Sequence, residues 1–543
     1  MQYSKVFSLT RRYQDGRFRG AHIMEIELKL LCDATAVPAI ANHKLLQQLS
    51  ESTPKQSRVT SIYFDTPDSF LRQHGLGLRV RKIGRKWVQT LKGGGSAASG
   101  LHRREEWELP LAGKRPDLSM LQSVVGAKSE VGKLLGAPHL SERLDPIFTT
   151  DFKRIAWPLK LPSGQKIECA LDVGKLTQGT KKELISELEL ELKSGDACGL
   201  FELAQQLMAT VSFRLGHLSK AARGYALCEP VSVIPVVNAT AVSLSPEILV
   251  AQAGRSIFES CFNQIHGNET GVTHGHAMES VHQMRVGLRR LRSAIGLFGK
   301  TAFFPEPLIE ELRWITSELG GSRDWEILAF ETLAIVAAAC PSVENSAVDI
   351  GALQKAAIAM AADHRQRASA AVESERYARM ALALGGWQHC DKWFSSVSAT
   401  ETEEGQDLDS PLKEWVNPRL TALFLKLAKR ATRLSEATSE QRHRARIAAK
   451  KLRYATEFFR TLYPKRETSE FISKLKELQD ALGWLNDAAV ADAHLNALAD
   501  RTPELAASAQ FVRGWLAGRA DNAIHVLAKA WKRFRSASLP WKA

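Results

Sequence analysis

Between residues 25 and 193, charged side chains occupy every second position in several short runs, and within a run neighbours mostly share one sign. Glu25, Glu27 and Lys29 form the first run, and Arg79 and Arg81 the next. Arg104, Glu106 and Glu108 follow, then Glu168 and Asp172, four apart but of the same parity, then Glu187, Glu189 and Glu191. A period of two is the side-chain period of a β-strand, so each run places its charges on one face. One such strand is ordinary, because any solvated sheet face alternates in this way. Several strands of the same design are a tighter constraint, since rows of like charge repel unless counter-ions lie between them. A closed antiparallel barrel turns these faces inward and leaves the apolar faces to pack against helices. Its interior would hold carboxylates, which suit hard divalent cations such as Mg²⁺ or Mn²⁺. Beside them would lie Arg and Lys, which suit phosphate oxygens. Acid and base in one tunnel match a metal-bound polyphosphate.

The chain of 543 residues is long enough for two or more domains. Its texture changes once. Residues 24–228 are β-rich, whereas residues 247–543 have helical spacing and few strand signals. Residues 229–246, with Pro230 and Pro246, read as a linker. Residues 400–409, with Glu401, Glu403, Glu404, Asp407 and Asp409, read as an acidic loop within the helical region. Residues 1–23 carry arginines but no apolar core, so they are expected to be a disordered extension before a natural start at Met24, not a secretory signal. No apolar run is long enough to span a bilayer. The seven cysteines are scattered and never form a CxxC pair, so neither a disulfide framework nor a zinc site is expected. A reducing cytoplasm is the natural compartment.

Charge also has a position. Residues 1–244 hold 34 Lys/Arg against 24 Asp/Glu, and residues 245–543 hold 39 against 35. The second part is nearly balanced, yet its cations gather in two segments that repeat each other. His282, Arg285, Arg289, Arg290 and Arg292 are matched by His443, Arg446, Lys450, Lys451 and Arg453 with the same spacings. Farther on, Leu319-Gly320 and Asp324 are matched by Leu482-Gly483 and Asp487. A repeat this long means a duplicated helical bundle. His282, Arg285, Arg289 and Arg292 fall on one helical stripe, as do His443, Arg446, Lys450 and Arg453. Met284, Leu288 and Leu291 mark an apolar face that can pack. The stripes show no acidic i+4 partners, so they read as a grip for one extended polyanion rather than a solvated face.

These residues resemble two known families. Glu25-x-Glu27-x-Lys29 is similar to the ExExK signature of the CYTH superfamily, the triphosphate tunnel metalloenzymes. The likeness continues through Tyr63-Phe64-Asp65-Thr66, Leu78-Arg79-Val80-Arg81, Lys92, Arg104 to Glu108 and Phe152-Lys-Arg154. It ends with Glu168, Asp172, Glu187-x-Glu189-x-Glu191 and Ser219-Lys220-x-x-Arg223-Gly224-Tyr225. The basic helices, with Arg323-Asp324, Asn486-Asp487, Tyr454 and Glu457, resemble the CHAD domain. The implied fold is α+β: an eight-stranded antiparallel β-tunnel with flanking helices, then an all-α duplicated bundle. The implied activity is hydrolysis of inorganic triphosphate to pyrophosphate and phosphate with Mg²⁺ or Mn²⁺. By the same resemblance, Glu25, Glu27 and Lys29 are candidate catalytic residues. Arg79, Arg81, Lys92, Arg104, Arg154, Lys220 and Arg223 would grip phosphate. Glu25, Glu27, Asp172, Glu187, Glu189 and Glu191 would hold metal, with Glu168 helping. The two basic stripes would bind polyphosphate.

Other readings stand beside this one: a class IV adenylate cyclase, a thiamine triphosphatase, or a polyphosphate-binding protein without turnover. Nucleic-acid binding ranks last, because the cations are not interleaved with stacking aromatics. His274 and His276 read as a polar loop rather than a metal pair. Gly93-Gly94-Gly95-Ser96 lacks the Lys-Ser/Thr of a P-loop and reads as a flexible hairpin connection. Finally, Glu25→Ala or Glu189→Ala is expected to remove activity with little loss of folding, since each relieves repulsion between carboxylates.

Overall fold

The computed structural model describes residues 21–84, 86–98, 100–229, 234–274, 278–299, 304–340, 347–390 and 409–542. The leading segment up to residue 20, His276 and the acidic residues 401–407 lie outside the described residues. The chain divides into two compact units, one of Met1–Val233 with Ala378–Cys390, the other of Ile234–Tyr377 with Asp391–Ala543.

The first unit is built on eight long strands: β1 (Ala21–Leu31), β2 (Lys55–Asp65), β3 (Leu76–Ile83), β4 (Lys86–Ala98), β5 (Leu101–Leu111), β6 (Asp145–Lys160), β7 (Lys166–Gln178) and β8 (Lys181–Ser194). Their order is β5-β4-β3-β2-β6-β7-β8-β1, and β1 pairs back onto β5. The sheet therefore closes into an antiparallel barrel and leaves no free edge along these strands. A short ninth strand, β9 (Arg214–Leu215), adds to β1. Alternation assigns the faces as expected. Leu78, Val80, Leu91, Trp107 and Leu109 point outward and pack against Leu118 and Leu121 of α1 (Leu118–Val125) and Leu135 of α2 (Glu130–Leu135). Each such burial is worth about 1.5–3 kcal/mol, so the apolar shell can stabilise a charged interior.

Two sequence expectations are corrected in this unit. Gly93 to Ser96 is not a hairpin connection but part of β4, interrupted by a register shift against β5. Gly94 and Gly95 have φ of 63° and 103°, and a Cβ on Gly95 would lie 1.9 Å from the Arg103 carbonyl oxygen. The glycines thus allow a bulge that brings β5 close, which explains them without a nucleotide. Secondly, Cys198 and Cys390 form a disulfide, with Cα atoms 4.9 Å apart. Cys198 opens α3 (Cys198–Leu207) and Cys390 closes the returning segment Ala378–Cys390. A separation of 192 residues hides such a pair from any spacing rule. Cys32, Cys169, Cys228, Cys261 and Cys340 are free.

Two of the resembling motifs are structural. Asp65, fully buried at the end of β2, accepts bonds from the Thr66, Leu71 and Arg72 backbone N–H groups. It also accepts one at 2.7 Å from the Tyr225 hydroxyl of α4 (Lys220–Cys228). This ties α4 to the barrel wall.

The second unit is helical: α5 (Val250–His266), α6 (Met278–Phe298), α7 (Glu306–Glu326), α8 (Ile350–Glu373), α9 (Leu412–Arg430), α10 (Ser439–Phe458), α11 (Lys465–Arg501) and α12 (Ala506–Arg535). The basic segments lie on α6 and α10, and the repeated Gly and Asp positions lie on α7 and α11. Met284, Leu288 and Leu291 are fully buried, as their spacing requires. So is Leu452 on α10, which starts from a capping box of Thr438 and Gln441. The copies differ after α7, where a π-helical turn spans Ile327–Thr332 while α11 continues unbroken.

Candidate functional site

Inside the barrel the charged faces meet in two groups. The first centres on Asp172, Glu187 and Glu189, whose carboxylate oxygens lie within 4.8 Å of one another. Asp172 and Glu187 face each other across the β7–β8 ladder. Lys220 reaches in from α4, which starts behind the Ser219 cap, and its Nζ lies 2.6 Å from Asp172, 2.5 Å from Glu187 and 2.9 Å from Glu189. Arg154 donates a fork to Asp172 at 2.7 and 2.6 Å and a third bond to Glu189 at 2.6 Å. Lys29 lies 3.0 Å from Glu187 and also pairs with Glu189. Arg223 donates to Glu187 at 2.9 Å and to Glu183 at 2.5 Å. These carboxylates are therefore neutralised by the protein's own cations. Burial alone would raise the Glu189 carboxyl, but Lys220, Lys29 and Arg154 hold it well below its usual range.

The second group is less balanced. Glu27, Glu191 and Glu168 sit side by side on β1, β8 and β7. Lys193 meets Glu191 at 2.6 Å, and Lys29 is only within 3.7 Å of Glu27. Glu25 is paired with Lys92 at 2.5 Å, a cation it shares with Glu106 at 3.4 Å. Burial raises the Glu191 carboxyl to about 7, with the Glu25 and Glu168 charges adding to it and Lys193 opposing. Negative charge is in excess here.

Positive charge is in excess across the cavity. Arg79 meets Glu106 at 3.2 Å, whereas Arg81 donates to the Ser61 hydroxyl at 3.4 Å and has Glu108 as an opposing charge at longer range. Burial lowers the Arg81 guanidinium to about 10, and the like charges of Arg79 and Arg154 contribute. Arg104 stands opposite Glu25 in the β1–β5 ladder. Every barrel residue singled out from sequence thus lies on the inward face or reaches it from α4. His102 was missed as a site residue, although it shares the parity of Arg104 on β5, and Glu106 was placed on the inward face without a role. His102 is 1% exposed, stands opposite Glu27, and donates from Nε2 to the Gly216 carbonyl at 2.9 Å. Burial and the nearby Lys29 charge push its imidazole down to about 4, so it is neutral.

The structure also corrects the expectation for Glu189. It is not one of several repelling carboxylates but the shared partner of three cations.

In the helical unit the two stripes come together only in part. Arg285 donates to the Leu319 carbonyl at 3.0 Å and to that of Gly320, and lies 3.8 Å from Asp324. Arg446 lies 3.5 Å from Asp487, beside Gly483. The repeat is thus one Arg–Gly–Asp arrangement built twice. Arg289 and Lys450 complete the centre. Burial, then Arg289 and Arg446, lower the Lys450 ammonium to about 6, with Asp487 opposing. The Arg289 and Arg446 Nε atoms are buried without hydrogen-bond partners among the described residues. His282 is affected by Arg323, Arg289 and Arg285 after burial, which lowers it, whereas His443 donates to Asn486 at 2.8 Å. Arg292 belongs elsewhere, with Lys426, Arg430 and Lys451. Arg453 has an i+4 partner after all, Glu457 at 3.5 Å. Arg290 is a core residue, bonded to Gln264 at 2.7 Å and Ser260 at 3.0 Å. His274 bonds its neighbour Thr273, as a polar loop residue would. No helix among the described residues is long and apolar enough to cross a membrane.

Comparison with known proteins fits this geometry. Residues 24–225 match the CYTH domain model and residues 256–496 the CHAD domain model. The chain is similar to an inorganic triphosphatase of Haemophilus influenzae, at 36% identity over 209 residues, which is 38% of this chain and 55% of that protein. It is also similar to an uncharacterized protein of Mycobacterium tuberculosis, at 24% identity over 330 residues, 57% of this chain and 59% of the other. The matches span little more than half the length of these relatives. Among solved structures, the CHAD domain of the plant Ricinus communis shows 31% identity and a TM-score of 0.49, covering 56% of this chain and 98% of that one.

Proposed function

This chain joins a CYTH domain to a CHAD domain, and from that premise we propose that it hydrolyses inorganic triphosphate to pyrophosphate and phosphate with a divalent metal, while its helical unit binds polyphosphate. The observation that carries the first part is the opposed charge imbalance in one barrel. Burial, with the Glu25 and Glu168 charges adding to it, lifts Glu191 to about 7, and burial, with the Arg79 and Arg154 charges adding to it, lowers Arg81 to about 10. A metal-bound phosphate chain relieves both at once, because the metal takes the carboxylate side and the phosphates the arginine side.

On this reading Glu25, Glu27, Glu168 and Glu191 hold Mg²⁺ or Mn²⁺, an all-oxygen donor set suited to either ion. The bound ion would supply Lewis-acid polarisation of phosphoryl oxygens. Arg79, Arg81, Lys92, Arg104 and Arg154 bind the phosphates and offset charge on the leaving group during in-line attack by water. Asp172, Glu187 and Glu189 with Lys29, Lys220 and Arg223 form a rigid ion-paired frame that holds these groups in place. The cytoplasm is the proposed compartment, with the Cys198–Cys390 bond standing against its reducing poise, and subcellular fractionation checks it.

The test is phosphate release from tripolyphosphate with Mg²⁺, with and without EDTA. Release is expected to need metal and to fall by about a thousandfold or more in Glu27→Ala, the loss that follows from removing several kcal/mol of transition-state charge stabilisation. Preferred turnover of ATP or thiamine triphosphate would move the substrate assignment. No turnover of any of the three by folded protein would leave a binding protein only.

The centre of the helical unit makes a pH prediction. Lys450 is largely neutral above about 6 in the free protein, and a polyanion restores its charge. Binding then takes up a proton, so affinity falls as pH rises from 6, by up to tenfold per pH unit for one proton. Calorimetry at pH 8 in buffers of different ionisation enthalpy reads that uptake directly. Lys450→Met should abolish it; uptake that persists in Lys450→Met would place the proton elsewhere.

A further inference from the structure

Lysine side chains are long and rotamer-rich, so an ammonium held among three carboxylates needs its stem fixed as well as its charge paired. The Lys29 ammonium lies 3.0 Å from Glu187, pairs with Glu189, and stands 3.7 Å from Glu27. Its stem is covered by backbone. The Gly216 N–H donates to the Lys29 carbonyl at 2.8 Å, and a Cβ on Gly216 would lie 2.6 Å from Lys29 Cγ and 2.8 Å from Cδ. Only glycine lets the chain lie so closely on a side chain. The neighbouring strand β9 is two residues long, which is little anchorage by itself. A further tie comes from β5, the strand paired with β1, where His102 donates to the Gly216 carbonyl at 2.9 Å. His102 is 1% exposed, so this bond is shielded from water.

We propose that His102 is a positioning residue for Lys29, pinning the Gly216 carbonyl so that the 214–217 segment clamps the lysine stem and holds its ammonium between Glu187 and Glu189. This rests on the tunnel reading above for its catalytic consequence, but its structural content can be measured without turnover. The readout is competitive acetylation of the whole protein with acetic anhydride, followed by mass spectrometry of the Lys29 and Lys220 peptides. Both lysines share Glu187 and Glu189, but Lys220 is held by α4 and not by Gly216.

In wild type both lysines should be nearly unreactive. In His102→Ala, Lys29 labelling is expected to rise about tenfold, the effect of losing one buried hydrogen bond, with Lys220 unchanged. His102→Gln can donate an amide N–H to the same carbonyl and should bring Lys29 back to the wild-type level. Gly216→Ala keeps His102 but drives a methyl into the stem, and should expose Lys29 as His102→Ala does. It carries the test if His102→Ala does not fold. An unreactive Lys29 in both variants overturns the proposal. So does a parallel rise at Lys220, which would mean general loosening, or a glutamine variant that protects no better than alanine. If the labelling pattern holds while wild type releases no phosphate, the triphosphatase reading fails and the positioning role stands.

Discussion

Replacing Glu189 with alanine is expected to destabilise the barrel unit by roughly 3–5 kcal/mol, the cost of removing one member of a buried ion network. Three cations converge on this carboxylate: Lys29, Arg154 at 2.6 Å and Lys220 at 2.9 Å. Lys29 is 1% exposed and Lys220 8%, so neither can turn to water when its partner goes. Thermal or denaturant unfolding measures the effect. Glu27→Ala is the contrast, since among the described residues the cation beside it, Lys29, stands 3.7 Å away and already has two closer partners. Its unfolding midpoint should barely move while its phosphate release is lost. Equal destabilisation by the two substitutions would contradict the division between a neutralised frame and an under-compensated metal side. Lost activity in Glu189→Ala must accordingly be read against its folded fraction.

The second large effect belongs to the helical unit. Changing Arg285, Arg289, Arg446 and Lys450 together to glutamine should weaken binding of long-chain polyphosphate by at least about a hundredfold. It should also flatten the dependence of log K on log salt by about three, since four cations no longer displace counter-ions. Tripolyphosphate hydrolysis should be untouched. Stability gives an independent check. Lys450 is depressed to about 6 by burial and by its like-charged neighbours, so removing these charges relieves repulsion. The variant should bind poorly without unfolding more easily, the pattern of residues kept for a ligand rather than for packing. A fall in both properties together would make the cluster a structural ion network anchored on Asp324 and Asp487.

Legibility differed from one part of the site to another. Parity along a strand is local, so Glu25, Glu27, Arg79, Arg81, Glu187 and Glu189 could be assigned to one face before any fold was known. The same parity put Glu106 on the inward face, though without a role. It also pointed to His102, which a sequence reading passes over because a buried neutral histidine looks ordinary until its partner is seen. Helical period likewise placed Met284, Leu288 and Leu291 in the core, where they are. It put Arg292 and Arg453 on the binding stripes, yet Arg292 lies with Lys426 and Arg430, and Arg453 pairs with Glu457. A stripe's period says which residues share a face; it does not say how far along that face the facing helix reaches.

By itself the sequence determined the strands with their inward charges, the duplicated basic helices and the boundary between the two textures. All of these follow from side-chain periodicity over a few residues. Only the tertiary structure decided which charges cancel, because pairing energy depends on distance in space. Glu189 meets Lys29 across 160 residues and Asp65 meets Tyr225 across another 160, and the Cys198–Cys390 bond spans 192. Closing the barrel turned a list of like-charged rows into a neutral frame on one side and opposed excesses of charge on the other.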